Sequence, residues 1–351
     1  MKSSTKRILS ILFIITIFAL VLYIGFRGND PKQIYTELKS IPLSWLLILC
    51  TPWLLYMITE TVCVHIFFKM QGFKVSALNL FKVVIMGNYY SSITPASTGG
   101  QPMQVYYLKK CGIPVGISTS VLTVRFFIYQ LSLLALGVVF WILNAEFVSN
   151  QLGSAIWIVY TGFFFNSLTV VGVALIAING KVTRFLTFGT IKLLHKIRLI
   201  RNLNKNLTRA QLAIENFEDS VRIFRKDPIH LIIQFILTCV QFIFLFLCTY
   251  LIYICFNLSG TSIMEMLTIA TLLFISASYT PLPGASGAQE GGFVVFYNGI
   301  FPSGTIFSAL LLWRFFTYYT MLLIGFILSL IGFKSKEPEA KIKNSSDVDN
   351  V

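Results

Sequence analysis

The sequence predicts an all-α polytopic membrane protein made of two inverted repeats, with about six full spans plus two re-entrant helical hairpins. Three observations predict it. The chain is 56% hydrophobic and only 12% charged, with a mean hydropathy of +0.76, whereas a soluble domain is about one quarter charged. Six apolar runs approach or exceed the ~20 helical residues that cross a hydrocarbon core of about 30 Å. Two shorter apolar runs end in Gly/Pro/Ser clusters that resemble each other.

The elements follow in order. Residues 8–26 form an apolar run behind the basic head Lys2, Lys6 and Arg7. No small-x-small cleavage site precedes Arg27, so the run reads as a retained first helix and not as a signal peptide. The other full spans are 43–68, 114–143, 154–178, 229–256 and 305–333. The two marginal segments are 77–94 and 263–280.

The net charge of +14 is resolved by position, because Lys and Arg collect in cytoplasmic loops. The N-terminus and residues 181–227, which hold eleven Lys/Arg, belong inside; residues 143–153 hold only Glu146 and belong outside. If Lys74 and Lys109 both lie inside, 77–108 enters and leaves on one face, broken at 94–102. By the same parity 263–300 is a hairpin from the opposite face, broken at 281–292. Broken backbone at membrane depth needs protein or a wet cavity around it. Both termini are then cytoplasmic, in a plasma membrane.

The breaks recur. Thr94-Pro95-Ala96-Ser97-Thr98-Gly99-Gly100-Gln101 is followed by Gly112-Ile113-Pro114 and by Arg125-Phe126-Phe127. Thr280-Pro281-Leu282-Pro283-Gly284-Ala285-Ser286-Gly287-Ala288-Gln289-Glu290 is followed by Gly299-Ile300-Phe301-Pro302 and by Arg314-Phe315-Phe316. The arginines are 189 residues apart. The chain thus reads as one integral membrane domain over 1–335, with repeats at about 43–143 and 229–333, a basic amphipathic connector at 181–227 and a disordered tail at 336–351. Paired Gly/Pro-interrupted segments in opposite orientation point to a midplane site in transporters.

Four ionisable residues sit inside apolar segments: Glu60, Arg125, Glu290 and Arg314. Such residues are costly in lipid and therefore face an interior or a partner. Both arginines are about 14–18 Å along their spans at 1.5 Å per residue, so they can meet near the centre. A guanidinium fork suits phosphate or carboxylate, and the opened backbone at Gly99-Gly100 and at Gly284 to Gly287 offers free N–H groups. The candidate headgroup site is Arg125, Arg314, Gln101, Gln289 and Glu290, with Pro95, Gly99, Gly100, Pro281, Pro283, Gly284 and Gly287 as the hairpin breaks. Two readings stay open: the arginines grip a ligand, or they pair with Glu290, Glu60 or hairpin carbonyls and lock the halves together. Glu290 is a salt-bridge partner or a titrating group, and Gln101 occupies the equivalent place after the first break. Glu60 has no counterpart in the other repeat and reads as a hydrogen-bonded or protonated carboxyl.

Other chemistry finds no support. The six Cys have no metal or redox spacing, and His65 and His230 lack ligands at metal spacing. No nucleophile elbow is present. The connector carries Leu186, Ile191, Leu194, Ile197, Leu199, Leu203 and Leu207 and is suited to lie on an anionic inner leaflet. Its basic core lacks aromatic residues for base stacking, so no nucleic acid is expected. No cofactor is expected either.

The first break with Gly-Ile-Pro and Arg downstream, and the second, Pro-x-Pro-Gly-x-x-Gly-x-x-Glu with Arg downstream, resemble the lysylphosphatidylglycerol synthase transmembrane-region family over roughly residues 5–335. Gln101 and Ala285 depart from the family pattern. The resemblance implies a flippase-like membrane module that translocates or handles anionic or aminoacylated phospholipid. It also implies an alternative: phosphatidylglycerol lysyltransferase activity dependent on lysyl-tRNA, or a membrane subunit serving a separate transferase partner. In the synthases an acyltransferase domain follows the membrane region; the residues after 333 are too few for one, since independent folding usually takes ~40 residues or more.

Overall fold

In a computed structural model the described residues are 31–196 and 202–331. The first apolar run, the tail, and Ile197 and Leu199 of the connector lie outside them. Among the described residues there is no strand, and the helices form an all-α membrane protein. Helix α1 (Pro31–Lys39) opens on a proline and ends on a lysine, as the helix dipole favours. It leads to α2 (Leu43–Met70), then α3 (Ala77–Ser92) and α4 (Gly100–Lys110), which are separated by a 3₁₀ turn at Pro95–Ser97. Next come α5 (Val115–Leu143), α6 (Ala145–Leu152), α7 (Ile156–Ile178), α8 (Gly180–Lys196) and α9 (Leu203–Lys226). The remainder is α10 (Pro228–Cys255), α11 (Ile263–Ala277), a 3₁₀ turn at Pro283–Ala285, α12 (Ala288–Phe296), α13 (Ile306–Arg314), a wide π turn at Phe315–Tyr319, and α14 (Thr320–Ile331).

Among the described residues five stretches are long and apolar enough to cross a membrane: Leu43–Met70, Val115–Leu143, Ala145–Ala177, Pro228–Cys255 and Ile306–Ile331. They coincide with the five described spans read from the sequence, with one addition. The segment expected as a loop after Leu143, charged only at Glu146, contains α6, which turns at Gly153 (φ +47) before α7. By contrast α3, α4, α11 and α12 have 16, 11, 15 and 9 residues. At 1.5 Å per residue each is about 14–24 Å long, shorter than the hydrocarbon core.

The ends of these elements are chemically specified. Gly72 and Gly112 adopt φ of +77 and +78 and close α2 and α4 with Schellman bonds, from Phe73 N–H to the Phe68 carbonyl (2.9 Å) and from Ile113 N–H to the Leu108 carbonyl (3.1 Å). A left-handed residue after a helix is the usual role of glycine. Asp227 caps α10 by accepting from His230 N–H at 3.2 Å. Ser262 and Glu265 form a reciprocal capping box at the start of α11.

Two large apolar cores sit at opposite ends of the bundle. One gathers Leu49 of α2, Ile252 of α10, Met266 and Leu272 of α11, Phe293 of α12 and Leu310 of α13. The other gathers Phe67 of α2, Val84 of α3, Leu108 of α4, Val121 of α5, Phe224 of α9 and Leu322 of α14. Helices α2 and α10 pack along each other and run through both ends. The first hairpin therefore belongs to one core and the second to the other, and their breaks meet between them. Large apolar side chains stay exposed on α7, among them Trp157, Phe164, Leu168 and Leu175, as a lipid-facing helix requires.

The connector divides into two helices with different environments. In α9, Ile214, Phe217, Val221 and Phe224 are buried; Phe224 meets Phe67 edge-on at 5.0 Å. Gly116 of α5 leaves no room for a Cβ against the Ala213 carbonyl. So α9 is docked against the helices and is not free on a leaflet. In α8 the apolar side chains Phe185, Leu186 and Leu193 are exposed.

Candidate functional site

The two breaks share a backbone geometry. Each starts at a proline in a 3₁₀ turn, Pro95 and Pro283. Each then places two successive residues in the left-handed region: Ala96 (φ 49) and Ser97 (φ 56), Gly284 (φ 61) and Ala285 (φ 50). Three of these four carry a Cβ, and left-handed backbone costs such residues roughly 1–2 kcal/mol each. Contacts between the breaks hold the conformation. Ala96 N–H donates to the Pro281 carbonyl at 3.1 Å, and the Tyr318 hydroxyl crosses to the Ser92 carbonyl at 3.0 Å. The Tyr318 ring occupies the space where a Cβ on Gly284 would stand.

Gly100 and Ala288 begin the helices that follow the breaks, so Gln101 and Gln289 are each the second residue of their helix. The spacing of the two arginines sets Gln101 opposite Glu290, one position later.

Between the breaks lies a cavity of about 740 Å³. Arg125, Arg314, Gln101, Gln289, Gly100 and Gly284 line it, together with Glu60, Asn88, Tyr129 and Tyr318. Pro95, Gly99, Pro281, Pro283, Gly287 and Glu290 do not reach its surface; they shape or brace the walls. Gly100 and Gly87 let α4 approach α3: a Cβ on Gly100 would stand 2.8 Å from the Gly87 carbonyl.

Arg314, 2% exposed, ends α13 immediately before the π turn. Its Nε donates to Glu290 Oε1 at 2.7 Å, with a second nitrogen 2.6 Å from the same oxygen. Its two terminal nitrogens reach the Gly284 carbonyl at 3.4 and 3.3 Å. The other Glu290 oxygen accepts Gly287 N–H at 2.6 Å. Glu290 therefore fastens Arg314 to the start of α12, and its place in the expected headgroup site becomes that of a brace behind the cavity wall.

Arg125, 5% exposed, is held differently. It donates to Thr238 Oγ1 at 2.9 Å and to Gln241 Oε1, while its buried Nε has no hydrogen-bond partner. Both acceptors are neutral groups on α10, and Arg125 is in no ion pair among the described residues. Gln241 carries the contact onward, its amide donating to Glu60 Oε2 at 3.4 Å; Asn88 donates to the same oxygen at 3.1 Å. Thr238 and Gln241, with Gln234 before them, are uncharged and do not stand out in the sequence as the arginines do. Their spacing of four and three residues in an otherwise apolar helix is the signal: it puts all three on one face.

The arrangement offers one paired and one unpaired guanidinium, amides from both breaks, and aromatic walls. Such a chamber suits a monoanion with polar substituents. A side lane extends toward α7, where Gln130 donates to Asn166 (3.3 Å) and to Tyr279 (3.1 Å), and Tyr279 donates to Thr169 (3.0 Å).

No solved structure matches the chain. It is 24% identical over 340 residues to a UPF0104 membrane protein of Methanocaldococcus jannaschii, covering 94% of this chain and 95% of that protein. It is 23% identical over 326 residues to a UPF0104 membrane protein of Archaeoglobus fulgidus, covering 84% and 90%. The model of the lysylphosphatidylglycerol synthase TM region matches residues 7–325. The chain belongs to that family, a membrane family linked to lipid handling.

Proposed function

We propose that the protein moves anionic or aminoacylated phospholipid across the plasma membrane, holding the headgroup phosphate between Arg125 and Arg314. The observation that supports this most is that both buried arginines, from separate halves of the chain, open onto the same 740 Å³ cavity as both helix breaks. That volume falls in the range of about 300–1,000 Å³ typical of small-molecule sites and suits a headgroup with its tails left outside. Arg125, bonded directly only to neutral acceptors, supplies a guanidinium that no carboxylate grips among the described residues. In this reading the halves are inverted repeats, both termini are cytoplasmic, and the side lane at Tyr279 and Thr169 is where a headgroup enters from the bilayer.

The test is reconstitution of the full chain into liposomes with leaflet-specific quenching of fluorescent phosphatidylglycerol. Wild type moves the lipid, and Arg125→Ala slows it at least tenfold. If wild type moves no lipid, or Arg125→Ala moves it equally well, the proposal fails. Co-purification of an aminoacyl or glycosyl transferase with a chain that moves no lipid would support a docking role in its place.

A further inference from the structure

Three charged side chains line the cavity: Glu60, Arg125 and Arg314. A fourth charge, Glu290, stands behind Arg314 and is committed to it. With all four ionised the chamber is neutral, so a bound phosphate monoanion would leave it with a net negative charge. Uncompensated charge in a low-dielectric site is costly. Among the described residues that line the cavity, Glu60 is the carboxylate that can remove that charge by taking up a proton.

The surroundings of Glu60 fit the task. Its two hydrogen bonds, from Asn88 and Gln241, both fall on Oε2, which leaves Oε1 without a hydrogen bond among the described residues, in a side chain that lines the cavity. Gln241 links it to Arg125, because the same amide accepts from the guanidinium and donates to the carboxylate. Glu60 is thus the carboxylate that balances Arg125 through a neutral bridge. The groups facing it are few. From α5 these are Arg125 and Tyr129, from α10 Thr238 and Gln241, from α3 Asn88, and from the π turn Tyr318 across the chamber. On α2 itself they are Tyr56 and Cys63. Among the described residues no Lys or His lines the cavity, and Arg314 is paired with Glu290, so Arg125 is the cation that faces Glu60.

We infer that Glu60 and a bound phosphodiester monoanion alternate as the counter-charge of Arg125, so that each headgroup enters with one proton, taken up by the Glu60 carboxylate from the aqueous side of the open cavity. The proton forms an O–H bond on the Glu60 carboxylate as one O–H bond of a hydronium ion breaks and leaves water; the phosphodiester keeps all its bonds. The loaded chamber then carries the same net charge as the empty one, and translocation moves lipid and proton together. This inference rests on the headgroup-binding reading of the cavity. It adds the coupling ion and the residue that carries it.

The experiment uses the full chain in nanodiscs of neutral lipid. Phosphatidylglycerol is supplied in one arm and the soluble phosphodiester glycerophosphoglycerol in another, since either source carries the same monoanion between pH 5.5 and 8. Proton uptake on binding is read with an indicator dye in weak buffer. Wild type is expected to take up about one proton per bound phosphodiester. Its affinity should weaken by about tenfold per pH unit above the titration of Glu60, by linkage between the two binding events. Glu60→Gln, which keeps an acceptor for Asn88 and Gln241, should take up no proton and bind at pH 8 as tightly as wild type does at low pH. Glu60→Asp should retain the uptake, which separates loss of the acid from loss of the fold. Uptake in the lipid arm alone identifies the lipid headgroup as the ligand, and uptake in both identifies the phosphodiester. Binding by wild type without proton uptake overturns the inference and leaves the headgroup reading standing, as does unchanged uptake in Glu60→Gln. Absence of any binding by wild type overturns both.

Discussion

Replacing Glu290 by Gln removes one charge from an ion pair whose side chains are 3% and 11% exposed. The carboxylate accepts three short bonds, two from Arg314 and one from Gly287 N–H. An amide keeps one acceptor oxygen, so at least one of these donors loses its partner, and Arg314 becomes a buried cation without a counter-charge. Breaking a buried pair by removing one member costs about 3–5 kcal/mol. Unfolding entropy of about 2.1 cal/mol/K per residue over 351 residues converts each kcal/mol into about 1.4 °C, so Tm should fall by about 4–7 °C. The assay is thermal unfolding of the detergent-solubilised chain, run as a cycle with Arg314→Gln and the double variant. The double variant should lose less than the sum of the singles by 1 kcal/mol or more, because removing both charges leaves neither stranded. A Tm within about 1 °C of wild type for Glu290→Gln, or additivity within about 0.5 kcal/mol, would refute the bracing role.

Arg125→Lys should cut lipid movement at least tenfold, measured in the liposome assay, since an ammonium cannot bond Thr238 and Gln241 while also presenting a planar fork. Gly284→Ala should lower Tm more than Gly287→Ala in the same melt. Both glycines have positive φ, but only at Gly284 does a Cβ meet the Tyr318 ring. Arg184→Ala, which breaks the exposed pair with Glu218 at 3.0 Å, should shift Tm by no more than about 1 °C, because exposed pairs contribute 0–1 kcal/mol. In a background with native cysteines replaced, Lys74→Cys and Ser259→Cys should react with an impermeant thiol reagent from opposite faces of sealed vesicles. Reaction from one face would remove the inverted arrangement.

The spans were legible because long apolar runs have few alternatives, and the broken hairpins because Pro95, Gly99, Pro283 and Gly287 cannot continue a regular helix unaided. Helix α6 was not legible: eight residues of mixed character between two spans read equally well as a loop. The docking of α9 was hidden for another reason. An amphipathic pattern states that one face is apolar, and it does not say whether lipid or protein covers that face; here the small Gly116 admits α9 against α5. In the site, charge alone drew the reading to Arg125, Arg314 and Glu290 and left their roles symmetrical. The asymmetry comes from neutral residues, Thr238 and Gln241 on α10, and from the helix start that turns Glu290 toward Gly287. Polar amides in an apolar span carry less signal than charges, yet they decide which arginine is free.

The meeting of the two breaks also bears on the order in which the chain is made. Ala96 N–H finds its acceptor on Pro281, and the Ser92 carbonyl finds its donor on Tyr318. Those partners are synthesised well over a hundred residues later. In lipid an unsatisfied backbone group costs several kcal/mol, so until the second hairpin has been made these two groups of the first lack the partners they have in the folded chain. A chain truncated before residue 281 should therefore turn over faster than the full chain although its own spans are intact, which pulse-chase labelling would measure.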